Sequence, residues 1–341
     1  MRARTPSLRS ILATATLALT ISGPVHAQDV EWTFNNNYAP TRPESGLIRD
    51  FVKNVGENTE GRLAISLSEG GAMGLKDADA LRYMQLGTPT MGFIWSPFLG
   101  RDAPDIANVY VFGLVNGAEE HLKALPAVEA VLEEGIEGRG IEVIGFMGLP
   151  ILQASIFCRE PVPDLETLKT VKLRVGTREQ VETFTKLGVA AQIVPQNELY
   201  NALQTGVIDC ALYPARFAHT ISVQEVARHA TPLGFPFPPT PYAMMVHKGS
   251  WDGLGDDLKG GVLDAIGVLR EASFDFDKDT EAEAKARAAN ADAGVTWYDE
   301  FSDADRAAIR EAALQTWAEL AEDAGGDAPA FRQRVLDKLQ N

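Results

Sequence analysis

The feature that most constrains the fold of this chain is an alternation of strand-like and helix-like segments that occurs twice. In the first run, the alternating segment LAISL (63–67) and the apolar segment TMGFIW (90–95) accompany helical patterns such as that of 44–57. Apolar strands separated by helices predict mostly parallel sheets that are covered by helices on both faces. Because a second run follows Pro161 and Pro163, we expect two α/β lobes rather than one sheet.

The other segments extend this pattern along the chain. The first run continues with a helix that Asp77 caps, a helix over 118–134 and a strand at 141–147. The second run has strands at 171–175, 191–194 and 207–213. Between them we expect a helix over 177–187 and a second helix that Asn197 caps and Gly206 ends. After the proline-rich segment 232–241, residues 254–322 are mostly helix formers, and 328–340 predict one more short helix.

The N-terminal residues have the pattern of a Sec-type signal peptide. A basic segment with Arg2, Arg4 and Arg9 precedes an apolar stretch over 11–21, and the small residues that follow end at Ala27. This stretch is too short to span a membrane, so we expect export and cleavage after Ala27 rather than an N-terminal anchor. The mature protein is therefore expected in the periplasm, without stable membrane insertion.

The net charge narrows the possible partners. Without the three signal-peptide arginines, 28 Lys and Arg residues stand against 47 Asp and Glu residues, a net charge of −19. So acidic a chain is poorly suited to nucleic acid or to an anionic membrane surface. An anionic ligand would have to be held by a local positive group, which makes individual arginines informative.

The side chains that usually carry chemistry are sparse. Cys158 and Cys210 are the only cysteines, and in an exported protein they form either one disulfide or two buried thiols; without spaced histidines they do not make a zinc site. The sequence contains no dinucleotide, Walker, zinc-protease or nucleophile-elbow motif. We therefore expect a protein that is not an enzyme and that carries no cofactor or metal.

Residues 164–214 are the most specific part of the sequence. They contain the ordered segments DLETLKTVKLRVG and VPQNELYNALQTGVIDCALYP, with weaker matches over 59–74, 81–95 and 242–254. This set resembles the DctP-type solute-binding subunits of tripartite ATP-independent periplasmic (TRAP) transporters. The resemblance implies two α/β lobes joined by crossing strands, a ligand cleft between them, a long helix that braces both, and a helical C-terminus. It also implies delivery of a small organic anion to a membrane permease pair.

The resemblance divides the chain into three parts. Residues 1–27 are the signal peptide, lobe I takes 28–151 and 240–280, and lobe II takes 152–239 and 281–341.

Arg174 matches the carboxylate-binding arginine of this family. A guanidinium offers a rigid fork of donors to a carboxylate, and a buried arginine requires a partner. The alternative partner is an acidic side chain of the protein itself. Gln153, or Ala154 in a shifted register, occupies the position where many members have a second arginine. A branch that binds keto acids through a metal has an acidic residue where this chain has Leu212, so no metal site is expected.

Aromatic side chains are expected to complete the pocket. Trp95, Tyr38 and Tyr213 follow strand ends, where ligands sit in open α/β sheets, and Phe217 begins the next helix. Asn197 is also included among the candidate ligand-binding residues. Packing within the core or the hinge is the alternative for the aromatic residues. One arginine and several aromatic rings favour a monocarboxylate with an apolar or aromatic body.

Two other functions stay open at this point. The protein could present its ligand to a sensor kinase instead of a permease, which sequence does not distinguish. It could also be a periplasmic lyase or hydrolase on the same scaffold, which would require a base near Arg174.

Overall fold

The two runs of strands form two separate sheets in the computed structural model, which describes residues 30–340. The strand order is β2-β1-β3-β10-β4 in the first sheet and β11-β9-β5-β8-β6-β7 in the second. The strands are β1 (Val30–Asn35), β2 (Leu63–Ser68), β3 (Met91–Trp95), β4 (Ile141–Met147), β5 (Gln153–Cys158), β6 (Lys172–Val175), β7 (Ala190–Ile193), β8 (Cys210–Leu212), β9 (His229–Pro236), β10 (Tyr242–His247) and β11 (Thr296–Trp297).

Helices follow most of these strands and cover the sheets. They are α1 (Pro43–Asn58), α2 (Ala80–Leu86), α3 (Pro104–Ala107), α4 (Ala118–Glu137), α5 (Leu165–Leu168), α6 (Arg178–Lys186), α7 (Leu199–Gln204), α8 (Ala215–Ala218), α9 (Val223–Val226), α10 (Lys248–Asp252), α11 (Asp256–Ser273), α12 (Asp279–Asp292), α13 (Asp303–Ala324) and α14 (Ala328–Gln340). None of the helices in the described range combines the length and the apolarity needed to cross a bilayer.

Each sheet contains one strand that runs against its neighbours. β1 is parallel to β2 and β3, whereas β10 is antiparallel to β3 and β4. In the second sheet β6 is parallel to β7 and β8, whereas β5 is antiparallel to β8 and β9. β5 and β10 each follow a strand of the other sheet. The direction of β5 and β10 is therefore not set by a crossover helix within one sheet, and the sequence pattern did not reveal that direction.

The N-terminus of α1 places two charged residues beside the end of β1. Pro43 occupies the first turn, where its fixed φ suits a helix. The apolar face, which includes Ile48 and Phe51, is buried, and the helix packs against α11. This packing fixes the position of Arg42, directly before the helix, and of Glu44 in its first turn.

The long helix α13 contacts elements of both sheets. It packs against α6, which connects β6 to β7, and against α3, which lies between β3 and β4. The indole of Trp317 donates to the carbonyl of Asn108, and Glu319 pairs with Lys186. The division of the chain into lobes stays a prediction. The helix α14, which the sequence assigned to lobe II, packs against α4, the helix that precedes β4 of the first sheet.

The structure corrects two predicted helix caps. Asp77 begins a short 3₁₀ turn and does not cap α2; its carboxylate accepts a hydrogen bond of 2.7 Å from the amide of Asn37. Asn197 lies in the middle of a 3₁₀ turn that precedes α7, and no side chain caps that helix. Asp and Asn side chains stabilise tight turns as well as helix N-termini, and the sequence pattern does not distinguish these two roles.

Cys158 and Cys210 form a disulfide, so the first of the two alternatives is the one observed. They are register partners on the antiparallel strands β5 and β8, with their Cα atoms 4.1 Å apart. The disulfide depends on β5 and β8 being adjacent in the sheet, which the positions of two cysteines in a sequence do not reveal.

Candidate ligand-binding site

Arg174 is a buried cation without an acidic partner among residues 30–340. Its side chain, on β6, is 6 % exposed. Nε donates to the carbonyl oxygen of Val194 at 2.8 Å, and Nη1 lies 3.5 Å from that of Leu212. Burial lowers the pKa of Arg174 to about 10, which keeps the guanidinium charged at neutral pH. Since a guanidinium has five N–H donors, this one retains donors for an anion.

Tyr213 lies near this arginine and within the electrostatic reach of a second one. The ring centre of Tyr213 is 5.9 Å from the guanidinium carbon of Arg174, and its buried hydroxyl has no hydrogen-bond partner among the described residues. Burial raises the pKa of Tyr213, and the positive charges of Arg42 and Arg174 oppose that rise. The phenol therefore offers a donor or acceptor within the field of two cations.

The second arginine, Arg42, was missed from the sequence. Its guanidinium lies between two aromatic rings, 4.0 Å from the ring centre of Tyr38 and 3.9 Å from that of Phe217. Tyr38 follows β1 of the first sheet, whereas Phe217 lies in α8, which follows β8 of the second. Arg42 therefore connects the two lobes through cation–π contacts on both of its faces.

The edge of the Arg42 guanidinium is occupied by polar side chains. Nε and Nη2 contact the two carboxylate oxygens of Glu44, a residue that is 1 % exposed. Nη1 donates to the side-chain oxygen of Gln196 at 3.1 Å, and the hydroxyl of Tyr242 donates to Glu44 at 3.2 Å. Burial lowers the pKa of Arg42, but Glu44, together with Tyr242 and Tyr213, outweighs burial, and the pKa is raised.

The structure brings together four of the seven predicted site residues. Tyr38 and Phe217 contact Arg42, and Tyr213 is within the electrostatic reach of both Arg42 and Arg174, so we call these four, with Arg42, Glu44, Gln196 and Tyr242, the cleft cluster. One feature of the sequence points to Arg42. It is an arginine in a strongly acidic chain, and it lies a few residues after the carboxyl end of β1. No motif marked it.

The other three predicted residues differ in their placement. Trp95 ends β3 directly opposite Tyr242, stacks on Phe237 with ring centres 5.8 Å apart, and has a buried indole N–H without a partner among the described residues. Gln153 begins β5, half-buried and opposite Pro236. Asn197 is exposed, and its neighbour Gln196 makes the contact with Arg42 instead.

Comparisons with known proteins agree on one family. The family model described as bacterial extracellular solute-binding protein, family 7 (DctP), matches residues 34–323. The C4-dicarboxylate-binding periplasmic protein DctP of Rhodobacter capsulatus is 28 % identical over 331 residues, which cover 95 % of this chain and 96 % of that protein. The ectoine/5-hydroxyectoine-binding protein UehA of Ruegeria pomeroyi is 26 % identical, with 71 % of each chain covered.

Solved structures share the fold across most of the chain. A Bordetella pertussis extracytoplasmic solute receptor with pyroglutamic acid superposes with a TM-score of 0.81 at 19 % identity, covering 91 % of this chain and 99 % of that one. A TRAP periplasmic solute-binding protein of Desulfovibrio salexigens with orotic acid gives a TM-score of 0.81 at 20 % identity, covering 91 % and 98 %. The predicted two-lobed binding-protein fold is thereby confirmed.

Proposed function

The chain belongs to bacterial extracellular solute-binding protein family 7, the DctP family, and from this we propose that it captures a small organic acid in the cleft between its lobes, with Arg174 as the anchor. The resemblance to DctP-type TRAP subunits is confirmed, and the family consists of transport receptors rather than enzymes. The proposed recipient of the ligand is the membrane permease of a TRAP transporter.

One observation carries the role of Arg174. It is a buried charge whose hydrogen bonds within the described residues go only to backbone carbonyls. A buried cation without an anion is costly, and a carboxylate from outside would supply that anion with two charge-assisted hydrogen bonds. The unpartnered hydroxyl of Tyr213 is close enough to this charge to take part.

The proposed ligand class is a monocarboxylate with an apolar or aromatic body. Tyr38, Tyr213, Phe217 and Trp95 supply flat apolar surfaces around few polar groups, a common composition for sites that bind small organic molecules. The acids named for relatives vary: pyroglutamate and orotate carry one carboxyl group, and a C4-dicarboxylate carries two. The charge of the ligand is therefore the point that needs testing.

Native mass spectrometry of gently purified protein is the direct experiment. We expect an added mass that matches a small carboxylic acid and disappears when the protein is denatured. Titration calorimetry with the acid so identified should then show one binding site. A bound species without an acidic group would contradict the proposal.

Affinity for the acid should be unaffected by exhaustive chelation. Leu212 occupies the position of the acidic metal ligand in the keto-acid branch, and no group of three His, Cys, Asp or Glu residues between 30 and 340 is arranged to hold a metal ion. Calorimetric titration before and after dialysis against chelator measures this. A loss of tenfold or more that added metal restores would show that the site requires a metal.

The exported protein should begin at Gln28 or within a few residues of it. This segment lies outside the described residues, so the prediction depends on the signal-peptide pattern alone. Intact-mass measurement of periplasmic protein from the native host tests it. Ala27→Arg should block cleavage and serves as the control, whereas intact Met1 in the wild-type periplasmic protein would contradict it.

A further inference from the structure

The cleft cluster contains two arginines, but their charges are not equivalent. Arg42 forms a buried ion pair with Glu44, whereas Arg174 has no acidic partner among the described residues and hydrogen-bonds only to carbonyl groups there. A count of arginines alone would favour a ligand with two carboxylates. The partners of each arginine favour a different conclusion.

Arg42 is enclosed on nearly every side by protein groups. The rings of Tyr38 and Phe217 cover its two faces, and Glu44 and Gln196 occupy three of its nitrogen atoms. Glu44 is held in turn by the hydroxyl of Tyr242. A guanidinium in this arrangement has its charge neutralised by the protein itself.

We propose that Glu44 determines the charge of the ligand: by neutralising Arg42 it leaves Arg174 as the uncompensated cation of the cleft cluster, so that the site prefers an acid with one carboxylate to a diacid of the same skeleton. This inference rests on the proposed function. It assigns Arg42 and Glu44 to specificity rather than to anchoring.

The decisive variant is Glu44→Gln. The amide keeps the size of the side chain and one acceptor oxygen for Tyr242 or Arg42, but it removes the negative charge. Arg42 then contributes a second free positive charge near Tyr213, within the same cluster as Arg174. A second carboxylate would gain a charged partner that the wild-type protein does not offer.

The probes are two matched pairs of acids: benzoate with phthalate, and butyrate with succinate. Calorimetry or competition titration gives the ratio of diacid to monoacid affinity for each pair. We expect Glu44→Gln to raise this ratio by about tenfold or more in at least one pair, since close buried charge pairs contribute at least about that factor. Glu134→Gln, which removes the partner of the surface residue Arg334, should leave the ratio unchanged.

Glu44→Gln leaves the buried Arg42 without its anion, and the variant can fail to fold for that reason. A second variant covers this case. Arg42→Gln/Glu44→Gln removes both charges and should keep the wild-type ratio, even if both affinities fall. A double variant in which the diacid loses about a hundredfold more affinity than the monoacid would show that Arg42 already binds a second carboxylate in the wild-type protein, and would overturn the inference.

Two further results would also overturn it. One is an unchanged ratio in folded Glu44→Gln; the other is no binding of any of the four acids to that variant, since a cleft with two free cations must retain a diacid. The proposed function has its own readout, the acid that co-purifies with wild-type protein. It can therefore stand if this inference fails.

Discussion

Arg174→Ala is expected to weaken binding of the acid by about a hundredfold or more. Truncating one member of a desolvated ion pair typically costs ~3–5 kcal/mol, because the other charge stays buried without a partner, and each ~1.4 kcal/mol is tenfold in affinity. Arg174→Lys keeps a charge but loses the planar fork, so its loss should be smaller and still substantial. Titration calorimetry with the identified acid measures both variants.

The stability of the ligand-free variants separates an anchor from a structural cation. Arg174 has no acidic partner in residues 30–340, so alanine removes mainly its hydrogen bond to Val194 and should change the free energy of unfolding by no more than about 1–2 kcal/mol. Arg334→Ala, which breaks an exposed pair with Glu134, is the matched control and should bind normally. Near-normal affinity in Arg174→Ala, or a loss of several kcal/mol of stability, would contradict the assignment.

Removing the disulfide should cost about 4 kcal/mol of unfolding free energy. The bond closes a loop of 52 residues, and the chain-entropy relation gives about 4 kcal/mol for a loop of that length. Cys158→Ala/Cys210→Ala is the suitable variant, because both residues are buried in the second sheet and alanine fits without a polar group. Guanidinium denaturation of the variant and of wild type measures the difference.

Reduction of the wild-type protein provides the internal control. Denaturation in the presence of reductant should bring the wild-type midpoint close to that of the double variant and leave the variant itself unchanged. Ligand affinity should also fall in the variant, because β8, which carries Cys210, is the direct neighbour of β6, where Arg174 pairs with Ala211. A stability loss below about 1 kcal/mol would show that the bond contributes little.

Local patterns were sufficient to predict most of the elements of this fold. The apolar face of α1 follows from its helical periodicity, the buried strand around Arg174 from its apolar residues, and the long C-terminal helices from their content of helix formers. The direction of β5 and β10 did not follow, nor did the pairing of Cys158 with Cys210. Both depend on which strands become neighbours after the chain crosses between sheets.

The candidate site was predicted in part for a similar reason. Arg174 lies inside a recognisable segment, whereas Arg42 lies in a loop with no motif and acquires its surroundings only through tertiary structure. Phe217 is distant from Arg42 in sequence and lies in α8, which follows a strand of the other sheet. Glu44 has the pattern of an ordinary acidic residue in the first turn of a helix. A residue whose partners come from three separate segments gives no local signal.

The stacking of Arg42 between a ring from each lobe has a consequence for the kinetics of binding. Each cation–π contact contributes about 0.5–2 kcal/mol, and one of the two joins Arg42 to a ring of the other lobe. Any motion that separates α8 from the segment after β1 therefore has to break the contact between Arg42 and Phe217. Because these contacts oppose separation of the lobes, they should hold the association rate below the diffusion limit.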